Sequence, residues 1–173
     1  MTKGMYSYIK ESWKSPDVKT LRDRMIVWRA GDSITKVDKP LRLDRARALG
    51  YKAKKGFVIV RVKLVRGGHK RSRPKKGRKV GNLTIRKNLK LSYKSIAEQR
   101  AAKKFKNLEV LNSYWIGKDG MHYFFEVILV DPFRPEIKSD KRLKWISENT
   151  NRNRALRGLT SSGKKSRGLR SKE

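Results

Sequence analysis

The spacing of apolar positions changes period several times along this chain, and each change predicts an element. Val18, Leu21, Met25 and Trp28 recur at helical spacing within "SPDVKTLRDRMIVWRAG". Ser15 is placed to cap that helix, Pro16 suits its first position, Asp17 matches its positive end and Gly31 can stop it. "RLDRARALG" reads as a shorter helix closed by Gly50, with Leu43, Ala46 and Leu49 or Gly50 inward and Arg42, Arg45 and Lys52 toward solvent. The period then drops to two. In "FVIVRVKLV", residues 57–65, Val58, Val60, Val62 and Leu64 alternate with Arg61 and Lys63, which predicts a strand with its apolar set on a core and two cations facing outward.

Helical spacing returns at Ile96, Ala97, Arg100, Ala101 and Phe105, with Ser92 or Ser95 near the start. Two β-rich runs in "LEVLNSYWIGKDGMHYFFEVILVDP" then flank Gly117, Lys118, Asp119 and Gly120, which is hairpin turn chemistry, and Pro132 and Pro135 end the unit. Helices and strands mix without a βαβ period or an internal repeat. The expected fold class is therefore α+β, a small antiparallel sheet packed with helices. One globular domain is expected over residues 1–148, with a basic loop at 66–82 and an extended basic tail over 149–173.

Charge decides what such a domain works on. Lys and Arg number 47 against 15 Asp and Glu, a formal net charge of +32 on 173 residues. Repulsion at that density opposes compaction, so the chain needs a polyanion: nucleic acid, an anionic membrane or an acidic protein. Hydrophobic residues, at 36%, suffice for one modest core. The absence of cysteine rules out disulfides and thiolate metal sites, and the two histidines, His69 and His122, lie in different contexts, so zinc is not expected. Apolar runs such as "FVIV" and "VILV" are too short to span a bilayer and the N-terminus has no signal-peptide core, so a soluble cytoplasmic protein is expected. Basic segments without an apolar face do not insert into lipid, which leaves membrane contact incidental.

The cations are not evenly spread. No acidic residue occurs from Arg45 to Ala97 or from Asn149 to Lys172. Within the first stretch, "RGGHKRSRPKKGRKVGN" (residues 66–82) has nothing apolar before Val80, and its glycines and Pro74 oppose regular structure, so in isolation it is expected to be a disordered basic loop. Arg66, His69, Lys70, Arg71, Arg73, Lys75, Lys76, Arg78 and Lys79 supply its cationic chemistry, and Gly67 and Gly68 let the main chain approach a phosphate. Lys and Arg on such a backbone match spaced RNA phosphates, and counterion release supplies much of the affinity. Arginine adds bidentate contacts and stacking on unpaired bases. A merely solubilising or targeting run fits less well, because Arg61 and Lys63 carry the same charge onto the fold itself.

Three enzyme-like signals are weak. "RGLTSSGKKSRG", residues 157–168, sets Gly158, Gly163 and Lys164 at P-loop spacing, but no buried strand precedes it, no helix is expected after it, and Lys165 stands where the magnesium-binding hydroxyl belongs. Glu126 and Asp131 read as edge and turn residues rather than a catalytic pair. His122 reads as an exposed strand residue. Tyr114 and Trp115 fall on opposite faces of one strand, so one is core and the other a platform on which a base can stack, and sequence leaves open which is which.

"RLDRARALGYKAKKGFVIVRVKLVRGGHKR", "NLEVLNSYWIGKDGMHYFFEVILVDP" and "RGLTSSGKKSRGL" occur in that order after an opening "MYSYIKESW". Together they resemble the L-fifteen-e family of the large ribosomal subunit, in its archaeal and eukaryotic form. The resemblance implies an α+β core embedded in large-subunit ribosomal RNA, extensions threaded between RNA helices, neighbouring ribosomal proteins as further partners, and no catalysis. It implies no membrane, no small-molecule substrate and no cofactor beyond magnesium held through the RNA. Carried over by position, its RNA-contacting blocks fall on Arg45, Arg47, Lys52, Lys54 and Lys55, on Arg61, Lys63 and Arg66 through Arg71, and on Arg157, Lys164, Lys165 and Arg167. The remaining loop cations from Arg73 to Lys79, and Arg170 in the tail, join them on charge alone. Residues 72–91 match less closely, and the chain ends soon after "RGL" where eukaryotic members continue, so an archaeal-type member is expected. The rival reading is a non-ribosomal RNA chaperone or nucleic-acid-compacting protein, for which bulk charge would suffice; the sequence invested in a specific hairpin argues against it.

Overall fold

The computed structural model describes residues 3–81 and 86–170. Asn82, which ends the expected loop, and residues 171–173 of the expected tail lie outside the described residues. Helices α1 (Met5–Ser12) and α2 (Val18–Ala30) lead into strand β1 (Ile34–Val37), helix α3 (Leu43–Ala48) and strand β2 (Phe57–Val65). A small ribbon pairs β3 (His69–Lys70) with β4 (Arg86–Lys87), and α4 (Tyr93–Lys104) precedes the hairpin of β5 (Glu109–Lys118) and β6 (His122–Val130). A one-turn helix α5 (Pro135–Lys138), two 3-10 turns at Lys144–Ser147 and Asn149–Asn151, and α6 (Ser161–Ser166) complete the chain. The main sheet is four-stranded and antiparallel in the order β1-β2-β6-β5, which bears out the α+β expectation.

Both faces of the sheet are covered. On one, α4 supplies Ala97 and Ala101 against Val60, Val62, Leu64, Phe125, Val127 and Leu129. On the other, Trp28 of α2 and Ala46 of α3 pack on Ile59, Ile116, Phe124 and Ile128, with Trp28 and Phe124 edge to face at 5.3 Å. The alternation in β2 therefore holds, but the face carrying Arg61 and Lys63 lies under α2 and is not an open surface. Alternation separates the two faces of a strand and says nothing of what covers each.

Local chemistry departs from expectation at three further places. Asp17, not Ser15, caps α2, its carboxylate accepting from the backbone N–H groups of Lys19 and Thr20; Val18 begins the helix fully in solvent at 78% exposure. Gly117 and Lys118 belong to β5, and the hairpin turns at Asp119, Gly120 and Met121, where the Asp119 carboxylate accepts from the N–H groups of Met121 and His122. Gly117 follows a shift of register in β5 and faces α2, where an added Cβ would lie 3.5 Å from both Met25 and Trp28; its role is close packing rather than turning. Glu126 is not an edge residue. It sits 1% exposed on central strand β6 and accepts from the Tyr114 hydroxyl at 2.6 Å and the Leu41 N–H at 3.0 Å.

The largest difference concerns the C-terminal segment. Expected as an extended arm, residues 149–170 fold back on the sheet. Arg154 is buried and donates to the carbonyls of Val110 and Leu111 at 2.5 and 2.9 Å, with its guanidinium 4.8 Å from the Trp145 ring centre. The Asn153 N–H donates to Glu109 at 2.9 Å. Thr160 caps α6 by accepting from the Gly163 N–H at 3.1 Å and donates its own hydroxyl to Glu98 at 2.5 Å. Ser113 donates to the second oxygen of the same carboxylate. Burial pushes the Glu98 carboxyl up, while the two hydroxyls and then the charges of Lys94 and Arg154 pull it down. Sequence shows only that this segment is basic and short of apolar residues, whereas its anchorage is polar and points to carboxylates and carbonyls distant in the chain.

The P-loop spacing now has a structural explanation. Gly158 adopts φ +68°, and a Cβ on Gly163 would fall 2.6 Å from the Gly158 Cα, so the two glycines let the turn close on the helix that follows it. That helix, α6, was not expected; it begins inside the motif, buries Gly163 and commits the Gly163 N–H to the Thr160 hydroxyl.

Replacing Thr160 by Val removes both the cap and the Glu98 contact. Thermal unfolding is expected to show a loss of about 1–3 kcal/mol, and trypsin is expected to cut the segment after Arg152 faster than in the parent. Unchanged stability and cleavage would mean that Glu98 does not hold the segment.

Candidate nucleic-acid interface

The cations of this fold divide into two sets, those held by the protein and those turned outward. Lys63 is in the first set: it donates to the carbonyls of Arg29 and Gly31 at 2.7 and 2.8 Å, placing a positive charge at the negative end of α2. Arg61 lies 5.1 Å from the Trp28 ring centre and opposite Glu126 in the β2–β6 register; burial pushes its guanidinium down and Glu126 opposes that. Lys52 and Lys54 converge on one oxygen of Asp140 at 2.6 and 2.8 Å, and Lys54 also donates to the Glu136 carbonyl at 2.7 Å. The hydrogen bonds from Lys52 and then Lys54 hold the Asp140 carboxyl well below its ordinary range.

Arg66 donates to the carbonyls of Asp119 and Gly120 and lies over the Tyr123 ring. Arg157 donates to those of Thr150 and Arg152, Arg167 reaches the Gly158 carbonyl at 3.4 Å, Arg170 donates to the Ser161 hydroxyl, and Arg47 lies over Tyr6. Gly67 exchanges hydrogen bonds with the Tyr93 hydroxyl, and a Cβ on Gly68 would fall 2.2 Å from the Lys87 carbonyl, so these glycines serve the ribbon's own packing. That ribbon is the regular structure the loop was not expected to form.

Turned outward are Arg45, Lys55, Lys70, Arg71, Arg73, Lys75, Lys76, Arg78, Lys79, Lys164 and Lys165, all exposed, with His69 exposed beside Lys70 on the ribbon. Two groups distant in sequence meet at Lys94 on the first turn of α4. Burial pushes the Lys94 ammonium down, and Arg45, Arg170 and Lys165 add to the effect, while Glu98 opposes it. Lys94 and Arg154 both escape a reading based on charge runs. The only sequence signal for Lys94 is its place inside the acid-free stretch.

Tyr114 and Trp115 are also resolved. Tyr114 is 2% exposed and bonded to Glu126, with burial and that carboxylate pushing its phenol far up, whereas Trp115 is 38% exposed. His122 is half-buried beside Asp119, its Nδ1 3.5 Å from the carboxylate, rather than exposed.

A model of a ribosomal protein family, described as Ribosomal L15, matches residues 4–173. The chain belongs to the L15e family of ribosomal proteins. It is 50% identical to the large ribosomal subunit protein eL15 of Methanocella arvoryzae over 99% of its own length and 90% of that protein's. It is 53% identical to the eL15 of Methanospirillum hungatei, over 98% and 89% of the two chains. L15e membership makes this a structural ribosomal protein and not an enzyme, so the P-loop spacing and the carboxylates of Glu126 and Asp131 carry no catalytic role. Asp131 serves as a turn residue, accepting from the Phe133 N–H at 3.0 Å and standing 3.5 Å from Arg134. Among the described residues no helix is long and apolar enough to cross a membrane.

The division of cations in this L15e fold gives a direct contrast. Lys63→Ala is expected to lower stability by about 1–3 kcal/mol, whereas Lys75→Ala is expected to leave it within about 0.5 kcal/mol, both read by urea unfolding. Equal effects would remove the distinction.

Proposed function

We propose that this L15e protein is a structural clamp on large-subunit ribosomal RNA, its sheet fixing position while outward cations neutralise phosphates where RNA helices pack closely. The contacts are Arg45 and Lys55, the ribbon and loop cations from His69 to Lys79, and Lys164 and Lys165. Arg47, Arg66, Arg157, Arg167 and Arg170 are exposed and add to the surface while tied to the protein, whereas Arg61, Lys52, Lys54 and Lys63 act mainly through the fold. Neighbouring ribosomal proteins complete the site, and magnesium enters only with the RNA.

One observation carries this reading: several of the scarce carboxylates are spent inside the fold, on Ser113, Thr160, Tyr114, Lys52 and Lys54, while the acid-free loop stands in solvent with no ion pair among the described residues. Bulk charge alone would not require this sorting. The two relatives are large-subunit proteins by name, which agrees with the proposed partner.

Binding to large-subunit ribosomal RNA and to an unrelated structured RNA across a salt series tests it, comparing the parent with a variant in which Arg71, Arg73, Lys75, Lys76, Arg78 and Lys79 are all Gln. The expected result is a log–log salt slope shallower by roughly 0.7–0.9 for each phosphate that the variant no longer neutralises, with the parent keeping its preference for ribosomal RNA at high salt. Superimposable curves for parent and variant, or no preference between RNAs, would count against the clamp.

A further inference from the structure

We propose that the cleft at the outer edge of β5 receives a single unpaired RNA nucleotide, its base stacked on Trp115 and Tyr6 and its phosphate held by Lys94 and Arg45. This rests on the RNA-binding reading above and adds to it a place, a nucleotide state and a recognition chemistry.

The cleft encloses about 610 Å³, and its lining includes Tyr6 and Lys10 of α1, Arg42 preceding α3, Arg45 of α3, Lys94 of α4 and Trp115 of β5. β5 is an edge strand, so the space is bounded by α1 and α3 on one side and by the start of α4 on the other. One wall is fixed from behind. Arg42 lies 4.9 Å from the Trp13 ring centre and 3.5 Å from Asp44, joining the first helix to the third. Trp115 and Tyr6 are 38% and 40% exposed, so both rings keep accessible area at the cleft. Aromatic rings interleaved with cations are the chemistry by which proteins hold unstacked bases, since every base offers a π-face and each brings a phosphate.

The crowding around Lys94 gives the phosphate end its reason. Lys94 and Arg45 line the same cleft, Arg45 from α3, while Lys165 and Arg170 come from the folded C-terminal segment, so cations from two other elements converge on the Lys94 ammonium against the single opposing charge of Glu98. A phosphate there replaces repulsion by attraction. An acidic peptide would satisfy the cations but leave the exposed area of Trp115, and the part of Tyr6 that Arg47 does not cover, unused, which is why a nucleotide is favoured. Duplex RNA offers no unstacked base to the cleft and is expected to bind elsewhere, through the loop.

The full-length protein is titrated with a short labelled single-stranded oligoribonucleotide, with the same sequence as a duplex, and with large-subunit ribosomal RNA. Trp115→Ala is expected to weaken single-strand binding roughly tenfold while changing duplex binding by no more than about twofold, and Trp115→Phe is expected to restore most of the loss. Lys94→Gln is expected to make the salt slope of single-strand binding shallower, with circular dichroism reporting an intact fold. Equal weakening of both RNA forms by Trp115→Ala, or no weakening, overturns the pocket, as does displacement of the single strand by polyglutamate from the parent and Trp115→Ala proteins alike. Retained ribosomal RNA binding in those cases leaves the clamp standing; a parent that binds none of the three RNAs takes both proposals down.

Discussion

Two adjacent residues of β5 send their hydroxyls to opposite sides of the sheet, each to a buried carboxylate. Ser113 donates to Glu98 on the α4 face and Tyr114 donates to Glu126 on the α2 face. In a chain of formal charge +32 these two acids are the internal counterweights around which the rest is arranged. A buried carboxylate is costly unless it is hydrogen-bonded and near positive charge. Glu98 meets that condition through Thr160 and the charges of Lys94 and Arg154, and Glu126 meets it through the Leu41 N–H and the charges of Arg61 and Arg42. The partners of Glu98 fasten the C-terminal segment to α4, and those of Glu126 fasten the chain before α3 to the hairpin.

From this follows the division of the cations. Carboxylates, helix-end carbonyls and the carbonyls of β5 claim Lys52, Lys54, Lys63 and Arg154, while segments without nearby acids keep theirs in solvent. In the proposed clamp, function is carried by what the fold does not use. A sheet covered on both faces leaves its edges and its loops as the working surface. The ribbon-borne loop supplies exposed cations, and the edge of β5 supplies a cleft where Trp115 stands among Lys94, Arg45 and Tyr6.

The longer regular elements were legible in sequence because their signals are local, whereas the β3–β4 ribbon and α6 were not. The alternation over residues 57–65 became β2 at those same boundaries, and of the two serines expected near the start of α4, Ser92 is the cap. The two β-rich runs became β5 and β6, although the turn moved by two residues because Gly117 was needed under Trp28. Long-range polar bonds were not legible. Nothing in "RGLTSSGKKSRG" announces that Thr160 reaches Glu98, a residue 62 positions away, or that its glycines pack on each other. The candidate interface was legible as a set of charges but not as a set of places, because a lysine held by carbonyls and a lysine held by water look the same in a sequence.

The central claim, that the fold holds some cations for itself and turns the rest to RNA, is tested most directly by measuring amine-labelling rates for each lysine by mass spectrometry, in the free protein and bound to large-subunit ribosomal RNA. The account predicts slow labelling of Lys54 and Lys63 in both states, and fast labelling of Lys55, Lys75, Lys76, Lys164 and Lys165 that slows on RNA binding. Contradiction would come from Lys63 labelling as fast as Lys75 in the free protein and gaining protection only with RNA, since that lysine would then belong to the interface and not to the fold.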